Sequence, residues 1–363
     1  MNRRDFVAAG VAAAGLAACR TTARRPGPDA VVRKDGRGSH RRLADALADA
    51  PTDGEQPYVV WLGPGRWEEK LEVTAANVHL VGEDRETSVI SYGAAAGMAR
   101  PDGQAWGTWG CATLVVRAPG FQARNLRIEN SFDYVGNLAS PRFEPIGPNG
   151  AQAVALMLDA GADRSRLLDV DLVGHQDTLF VDAGRSAFRG CRISGSVDFV
   201  FGAGRALFEA CELRSRFRPG KPRQGYVAVP STPSAQAQGL VFRDCRLTRD
   251  AAVPDASVAL GRAWRPGRRF DDGQYGDPSA LGSAVYVDCW MDAHIDPVLG
   301  WEPMAYTARD GTRVMLEPHQ ARLYEYGSRG PGAARSPNRR WLDSAQASAF
   351  APHAVLAGWE PAP

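Results

Sequence analysis

Two short phrases carry the residues best suited to chemistry in this chain, Gly174-His175-Gln176-Asp177-Thr178-Leu179-Phe180 and Gly195-Ser196-Val197-Asp198-Phe199-Val200-Phe201. Each reads Gly-x-x-Asp-x-x-Phe, and matching positions lie 21 residues apart. Two carboxyl groups brought side by side cannot both ionise easily, so one pKa rises and the pair shares a proton. A protonated acid beside an ionised one suits acid/base and nucleophilic work near neutral pH. The plainer readings are a ladder of turn aspartates or a calcium site. Turn aspartates are usually followed by Gly or Asn, whereas Asp177 precedes Thr-Leu-Phe and Asp198 precedes Phe-Val-Phe. Calcium asks for further carboxylates on neighbouring turns, where Gln176 and Val197 stand instead.

Whether the two aspartates meet depends on what a 21-residue offset means. Seven segments share one pattern of apolar, two variable, small apolar or Cys, polar, apolar. They centre on Val78, Leu126, Val170, Cys191, Cys211, Cys245 and Cys289. Successive centres are 48, 44, 21, 20, 34 and 44 residues apart, so the unit is about 21 residues, with two units or insertions in the wider gaps. Such a unit is too short for a strand-helix-strand crossover, yet one face recurs, which predicts an all-β chain wound as a right-handed parallel β-helix. A β-sandwich is the competing fold, but Asn-Gly or Asp-Gly pairs do not recur as two-residue loops at the repeat's spacing, as its hairpins would require. Asp177 follows Val170 by seven residues and Asp198 follows Cys191 by seven. The carboxyl groups therefore fall at one station on adjacent coils, about 4.8 Å apart.

The same stacking brings Cys191 and Cys211 within disulfide range, and a bond between them is expected. Cys245 and Cys289 occupy the same inward position as either bonded or free thiols, and Cys111 lies outside the pattern. A short helix is expected over 40–50 as an N-terminal cap, with Leu43, Ala46, Leu47 and Ala50 at helical spacing and Pro51 as its stop. Tyr58 to Leu62 reads as a strand. A second short helix is expected over 343–349, opened by Asp343 with Gln346 three residues on, in a C-terminal tail packed on the coils.

The chain has 363 residues, 44% hydrophobic and 23% charged, with a net charge of +2. That balance provides no global field for nucleic acid, and no nucleic-acid partner is expected. Residues 1–19 read as an export signal: Arg3-Arg4-Asp5-Phe6, an apolar run from Val7, then Leu16-Ala17-Ala18-Cys19. This resembles a twin-arginine bacterial lipoprotein signal, cut before Cys19 and leaving that thiol lipidated. Residues 20–30 read as a tether and 31–363 as the β-helix domain. The expected product is a monomer, exported and lipid-anchored through Cys19 in the cell envelope, at the outer membrane.

Three further stretches bear on the acidic pair. Gln152 heads an apolar strand and Gln176 adjoins Asp177, so either amide is placed to donate to a developing oxyanion. Arg262 in Leu-Gly-Arg-Ala-Trp is a candidate two-point partner for one aspartate, with Trp264 two residues on. Each also has a bland reading as a core amide, a surface ion pair or a core indole.

Together, Gly-His-Gln-Asp-Thr-Leu (174–179), Gly-Ser-Val-Asp-Phe-Val-Phe-Gly (195–202), Gln-Ala-Val-Ala-Leu (152–156) and Leu-Gly-Arg-Ala-Trp (260–264) resemble the signature set of pectin methylesterases, carbohydrate esterase family 8. Gly65-Arg66-Trp67-Glu68-Glu69 is similar to that family's Gly-x-Tyr-x-Glu, and the resemblance runs from about residue 30 to the C-terminus. It implies that Asp198 attacks a galacturonate methyl ester in pectin. Asp177 would be acid and then base, Gln152 and Gln176 the oxyanion hole, and Arg262 the group that holds Asp198. It further implies that Trp264, Thr108, Phe201, Tyr226, Trp301 and Met304 line the sugar subsites, with no metal and no cofactor. His175 stands where the family has Tyr or Phe, and reads as a subsite or packing residue rather than a proton carrier. A local basic run, Arg214, Arg216, Arg218, Lys221 and Arg223, is either a solvated loop or a lure for free galacturonate carboxylates. The competing functions are a related lipoprotein esterase or thioesterase on another acyl substrate, a β-helix lyase or glycosidase, and a non-catalytic wall-binding protein.

Overall fold

The computed structural model describes residues 27–361 save 146, 148 and 149. The expected signal peptide of 1–19, Cys19 and residues 20–26 of the expected tether lie outside the described residues. Strand structure begins inside the tether as drawn from sequence. Asp29 donates its N–H to the Val59 carbonyl at 2.8 Å, and Ala30–Val32 pairs in parallel with Tyr58–Leu62. Ala30 and Val32 are both buried, which is what draws the chain in at this point.

Three parallel sheets of ten, eight and seven strands wind into a β-helix. One coil shows the path: Arg185–Arg189 in the first sheet, Arg192–Gly195 in the second, Val200–Gly202 in the third, then Arg205–Glu209 back in the first. Phe188 lies in register with Phe208, 20 residues on. The seven segments fall on successive rungs of the first sheet, so the wide gaps are insertions and not double coils, but only six share the predicted register: Leu80 pairs with Ala123, so Val78 opens its strand and is not the counterpart of Leu126.

The repeat pattern has a backbone cause. From the rung of Gln122–Arg124 onward, each first-sheet strand ends on a single left-handed residue: Asn125, Asp169, Gly190, Ala210, Asp244, Asp288 and Gly327, with φ between 50 and 62°, whereas Asn77 (φ 56°) precedes its strand, Val78–Gly82. Gly, Asn and Asp tolerate this conformation best, and Ala210 is the exception. The residue after the turn points inward, and Leu126, Val170 and the four cysteines are all buried there. Along the first sheet Phe188, Phe208, Phe242 and Tyr286 stack with ring centroids 4.5, 4.7 and 4.7 Å apart. Each such pair adds about 0.5–1.5 kcal/mol beyond the area it buries.

The expected Cys191–Cys211 disulfide is absent: both are free, as are Cys111, Cys245 and Cys289. Residues stacked in register on parallel strands carry parallel Cα–Cβ vectors, which hold the Cβ atoms near the rung spacing of about 4.8 Å instead of the roughly 3.8 Å of a disulfide. Each thiol instead contacts a carbonyl of the coil before, as Cys191 does with Leu167 (3.5 Å) and Cys211 with Phe188 (3.5 Å). Burial pushes the Cys191 thiol well above its ordinary range.

The helix expected over 40–50 forms at Leu43–Ala48 and buries Leu43 and Ala46. It starts late because its cap comes from elsewhere: Arg42 makes no capping bond, and the Glu69 carboxylate accepts the N–H groups of Leu43 and Ala44, each at 2.9 Å. In the tail, Ser344–Ala347 is helical and Asp343 and Gln346 form a reciprocal capping box. Val355 and Leu356 then pack on Leu207 and Val241 of the coils.

Candidate active site

The insertions explain why a groove exists. Segments 93–113, 131–155 and 216–224 all leave the second sheet and return to the third, and 262–282 follows the third sheet's last strand. They rise around the outer face of the third sheet. Its outward column of Val115, Met157, Phe180, Phe201 and Val229 is roofed by Trp106, Tyr226, Trp264 and Met304.

Asp177 and Asp198 sit in the bend just before that sheet, at φ 64° and 54°. The Asp177 N–H donates to the Val197 carbonyl at 3.0 Å, which sets Asp177 in register with Asp198. Arg262 reaches Asp198 from two coils away, with Nε to Oδ1 at 3.0 Å and Nη2 to Oδ2 at 2.7 Å. Its guanidinium also lies 3.8 Å from the ring centroid of Tyr226. Gly261 makes this reach feasible: its φ is 157°, and a Cβ there would lie 1.9 Å from the Ala228 carbonyl oxygen. Among the described residues the carboxyl of Asp177 has no such partner. Burial raises its pKa well above the ordinary carboxylate value, the Asp198 charge raises it further, and Arg262 offsets only part of this. The pair is therefore differentiated, with Asp198 charge-balanced by Arg262 and Asp177 holding a proton.

Gln152 and Gln176 also come into register. Ala155 and Leu156 both donate to the Thr178 carbonyl (2.9 and 3.2 Å), an extra residue that shifts the preceding strand by one, and Ala153 N–H then meets the Gln176 carbonyl at 3.1 Å. Gln176 Nε2 donates to the Pro145 carbonyl at 2.6 Å, leaving one amide hydrogen for a ligand. Gln152 Oε1 is buried without a partner among the described residues.

The expected subsite residues separate. Trp264 and Met304 border a cavity of about 620 Å³ that runs from Arg262 past Arg265 to Tyr306 and Arg313. Tyr226 lies under Arg262, and Thr108 is half-buried in the short helix Gly107–Gly110. Phe201 is only 3% exposed and forms the floor, stacked 4.6 Å from Phe180. Trp301 is a correction: it is 2% exposed and packs in the core 5.7 Å from Tyr286. Its parallel bridge to Gly261 adds one rung outside the repeat and turns the indole inward. His175 is buried, stacks on Tyr134 at 4.9 Å, and is held neutral because burial, then Arg216 and Arg218, lower its pKa to about 3.

The basic run does not act as one patch. Arg214 pairs with Asp250 at 2.9 Å, Arg223 with Asp296 at 2.9 Å and Glu302 at 2.5 Å, and Arg216 donates to the Gly174 carbonyl at 2.8 Å. Lys221 is exposed, and Arg218 lies beside His175 and Tyr134. Sequence reasoning missed Trp109. It is 47% exposed over Phe180 (4.6 Å), with Trp264 6.2 Å away, and is the aromatic face the groove presents to solvent. Its neighbour Thr108 was the only signal pointing there. Among the described residues no group of three or more His, Cys, Asp or Glu could hold a metal ion.

Fold and site together define the class: a β-helical carboxylic ester hydrolase. The pectinesterase family profile matches residues 29–357, and the chain belongs to that family. It is similar to pectinesterase A of Dickeya dadantii, 42% identical over 340 residues that cover 92% of each chain. Among solved structures it resembles pectin methylesterase PemA from Erwinia chrysanthemi, with a TM-score of 0.87 and 42% identity over 93% of this chain and 99% of that one. It likewise resembles a pectin methylesterase in complex with a hexasaccharide, with a TM-score of 0.87 and 41% identity over 93% and 99% of the two chains. The chain is a pectinesterase by family.

Proposed function

We propose that this chain hydrolyses methyl esters of galacturonate in pectin through an acyl intermediate on Asp198. The observation that carries the mechanism is the two-point Arg262–Asp198 pair directly beside the buried, proton-holding Asp177. Arg262 fixes both oxygens of Asp198, and one of them attacks the ester carbonyl. The oxygen that turns negative lies toward the amide hydrogens of Gln152 and Gln176. Asp177 gives its proton to the methoxy oxygen as that bond breaks, and methanol leaves. The resulting carboxylate of Asp177 takes a proton from water, whose oxygen attacks the acyl carbon of the mixed anhydride. The anhydride opens to the free galacturonate and Asp198, and Asp177 is again protonated.

Trp109 and Trp264 provide aromatic faces against which sugar rings stack, over the floor of Phe180 and Phe201. Release of methanol from methylated pectin tests the reaction. Wild type is expected to release it and Asp198→Ala to lose at least 10³-fold in kcat, while equal rates would overturn the role given to Asp198.

The Arg3-Arg4 start and Leu16-Ala17-Ala18-Cys19 support export and lipid attachment at Cys19, and the proposal is a monomer anchored at the outer membrane. Metabolic labelling with a fatty acid tests this: label should enter wild type and not Cys19→Ala, and label in both would remove the anchor.

A further inference from the structure

Gln152 is asked to aim an amide, yet among the described residues nothing holds the amide itself. Among the described residues its Oε1 is buried without a partner and no hydrogen bond fixes the side chain. The aim must then come from the backbone at that residue. Two groups grip the Gln152 carbonyl: the N–H of Ala96 at 2.8 Å and the thiol of Cys111 at 3.4 Å.

Cys111 is fully buried and does more than touch one atom. Its S–H is shared between the Gln152 carbonyl and the Thr108 carbonyl at 3.2 Å, and the sulfur accepts the Val154 N–H at 3.5 Å. Its own carbonyl is held by Asn130 Nδ2 at 3.3 Å, the same amide that reaches the Val154 carbonyl at 3.0 Å. Burial pushes the thiol up to about 12, so it stays a neutral donor across the working range of any aspartyl site. One sulfur thus ties the helix Gly107–Gly110, which carries Thr108 and Trp109, to the strand entry that carries Gln152.

We propose that Cys111 is a positioning residue for the esterase reaction, setting the backbone from which Gln152 aims its amide at the oxyanion. This rests on the oxyanion role proposed for Gln152. Serine is a poor replacement. Its C–O bond is shorter, and a hydroxyl needs an acceptor near 2.8 Å, so it cannot span two carbonyls spaced for sulfur. Alanine removes both contacts.

The test is a double-mutant cycle on kcat and KM with methylated pectin, using Cys111→Ala, Gln152→Ala and the double variant. Cys111→Ala should lower kcat about tenfold, a fraction of what deleting an oxyanion donor costs, with KM changed less than twofold. In the Gln152→Ala background the same change should lower kcat less than twofold. A repeated tenfold loss there, or an unchanged kcat for Cys111→Ala alone, would overturn the inference. If Cys111→Ala does not fold, Cys111→Ser runs the same cycle with a smaller expected loss. If Gln152→Ala alone leaves kcat intact, the oxyanion reading itself falls and takes this inference with it, an outcome distinct from additivity.

Discussion

Asp177 and Asp198 stack in register on adjacent coils, both in the left-handed conformation, yet only Asp198 is gripped by an arginine. The asymmetry of one guanidinium separates two otherwise equivalent carboxyls into a proton carrier and a charged attacker. Without it the two phrases from which the site was first read would be chemically interchangeable.

Asp177→Asn should trade activity for stability. Turnover is expected to fall about 10³-fold with the loss of the acid and base. Native Asp177 has a raised pKa, so the folded protein holds a proton that the unfolded chain releases near pH 4. Its favourable contribution is complete below that pH and is lost as pH climbs through the raised native value. Asparagine keeps the shape without the ionisation. The Tm of the variant relative to wild type should therefore grow between pH 4 and 8, by on the order of a few degrees. Asparagine also suits the left-handed backbone, but that gain does not vary with pH. A Tm difference constant across this range would refute the ionisation argument.

Arg262→Lys keeps a positive charge but loses the two-point grip on Asp198 and the flat contact on Tyr226. A drop of about 10²-fold in kcat is expected, as for loss of one preorganised electrostatic contact. Methanol-release kinetics with folding checked by circular dichroism decide it, and wild-type kcat in the lysine variant would show that charge alone suffices.

The coil repeat was legible because six successive rungs face the same demand, a residue in left-handed backbone and then an inward apolar one, while the segment around Val78 matched the pattern out of register. The acidic pair was legible for the same reason, since stacking converts an offset of one coil into adjacency. What stayed hidden lies where the repeat does not reach. Trp109 sits in an insertion with no periodic neighbour, and Trp301 sits on a single added rung whose facing no alternation announces. The disulfide misled because spacing brought Cys191 and Cys211 to the right separation while the parallel direction of their side chains, invisible in spacing, keeps the sulfurs unbonded.

Trp109→Ala should act on binding and leave the fold intact. The indole is 47% exposed, so its loss leaves no cavity, and stability should change by about 0.5 kcal/mol or less. Its stacking surface on the sugar is lost, which should raise KM about five- to tenfold at nearly constant kcat. Initial rates across a pectin concentration series measure this. An unchanged KM would place the sugar rings elsewhere in the groove.

The free cysteine ladder predicts indifference to reductant. Because Cys191, Cys211, Cys245 and Cys289 are all buried and unbonded, Tm should be the same with and without dithiothreitol. Alkylation should label none of the four in the native protein and all of them after unfolding without reductant. A disulfide closing the loop between Cys191 and Cys211 would instead contribute about 3 kcal/mol by constraining the unfolded chain. Reductant would then lower Tm by several degrees, roughly 2–4 °C per kcal/mol. Such a drop would mean that the coils distort enough to bring two stacked sulfurs together.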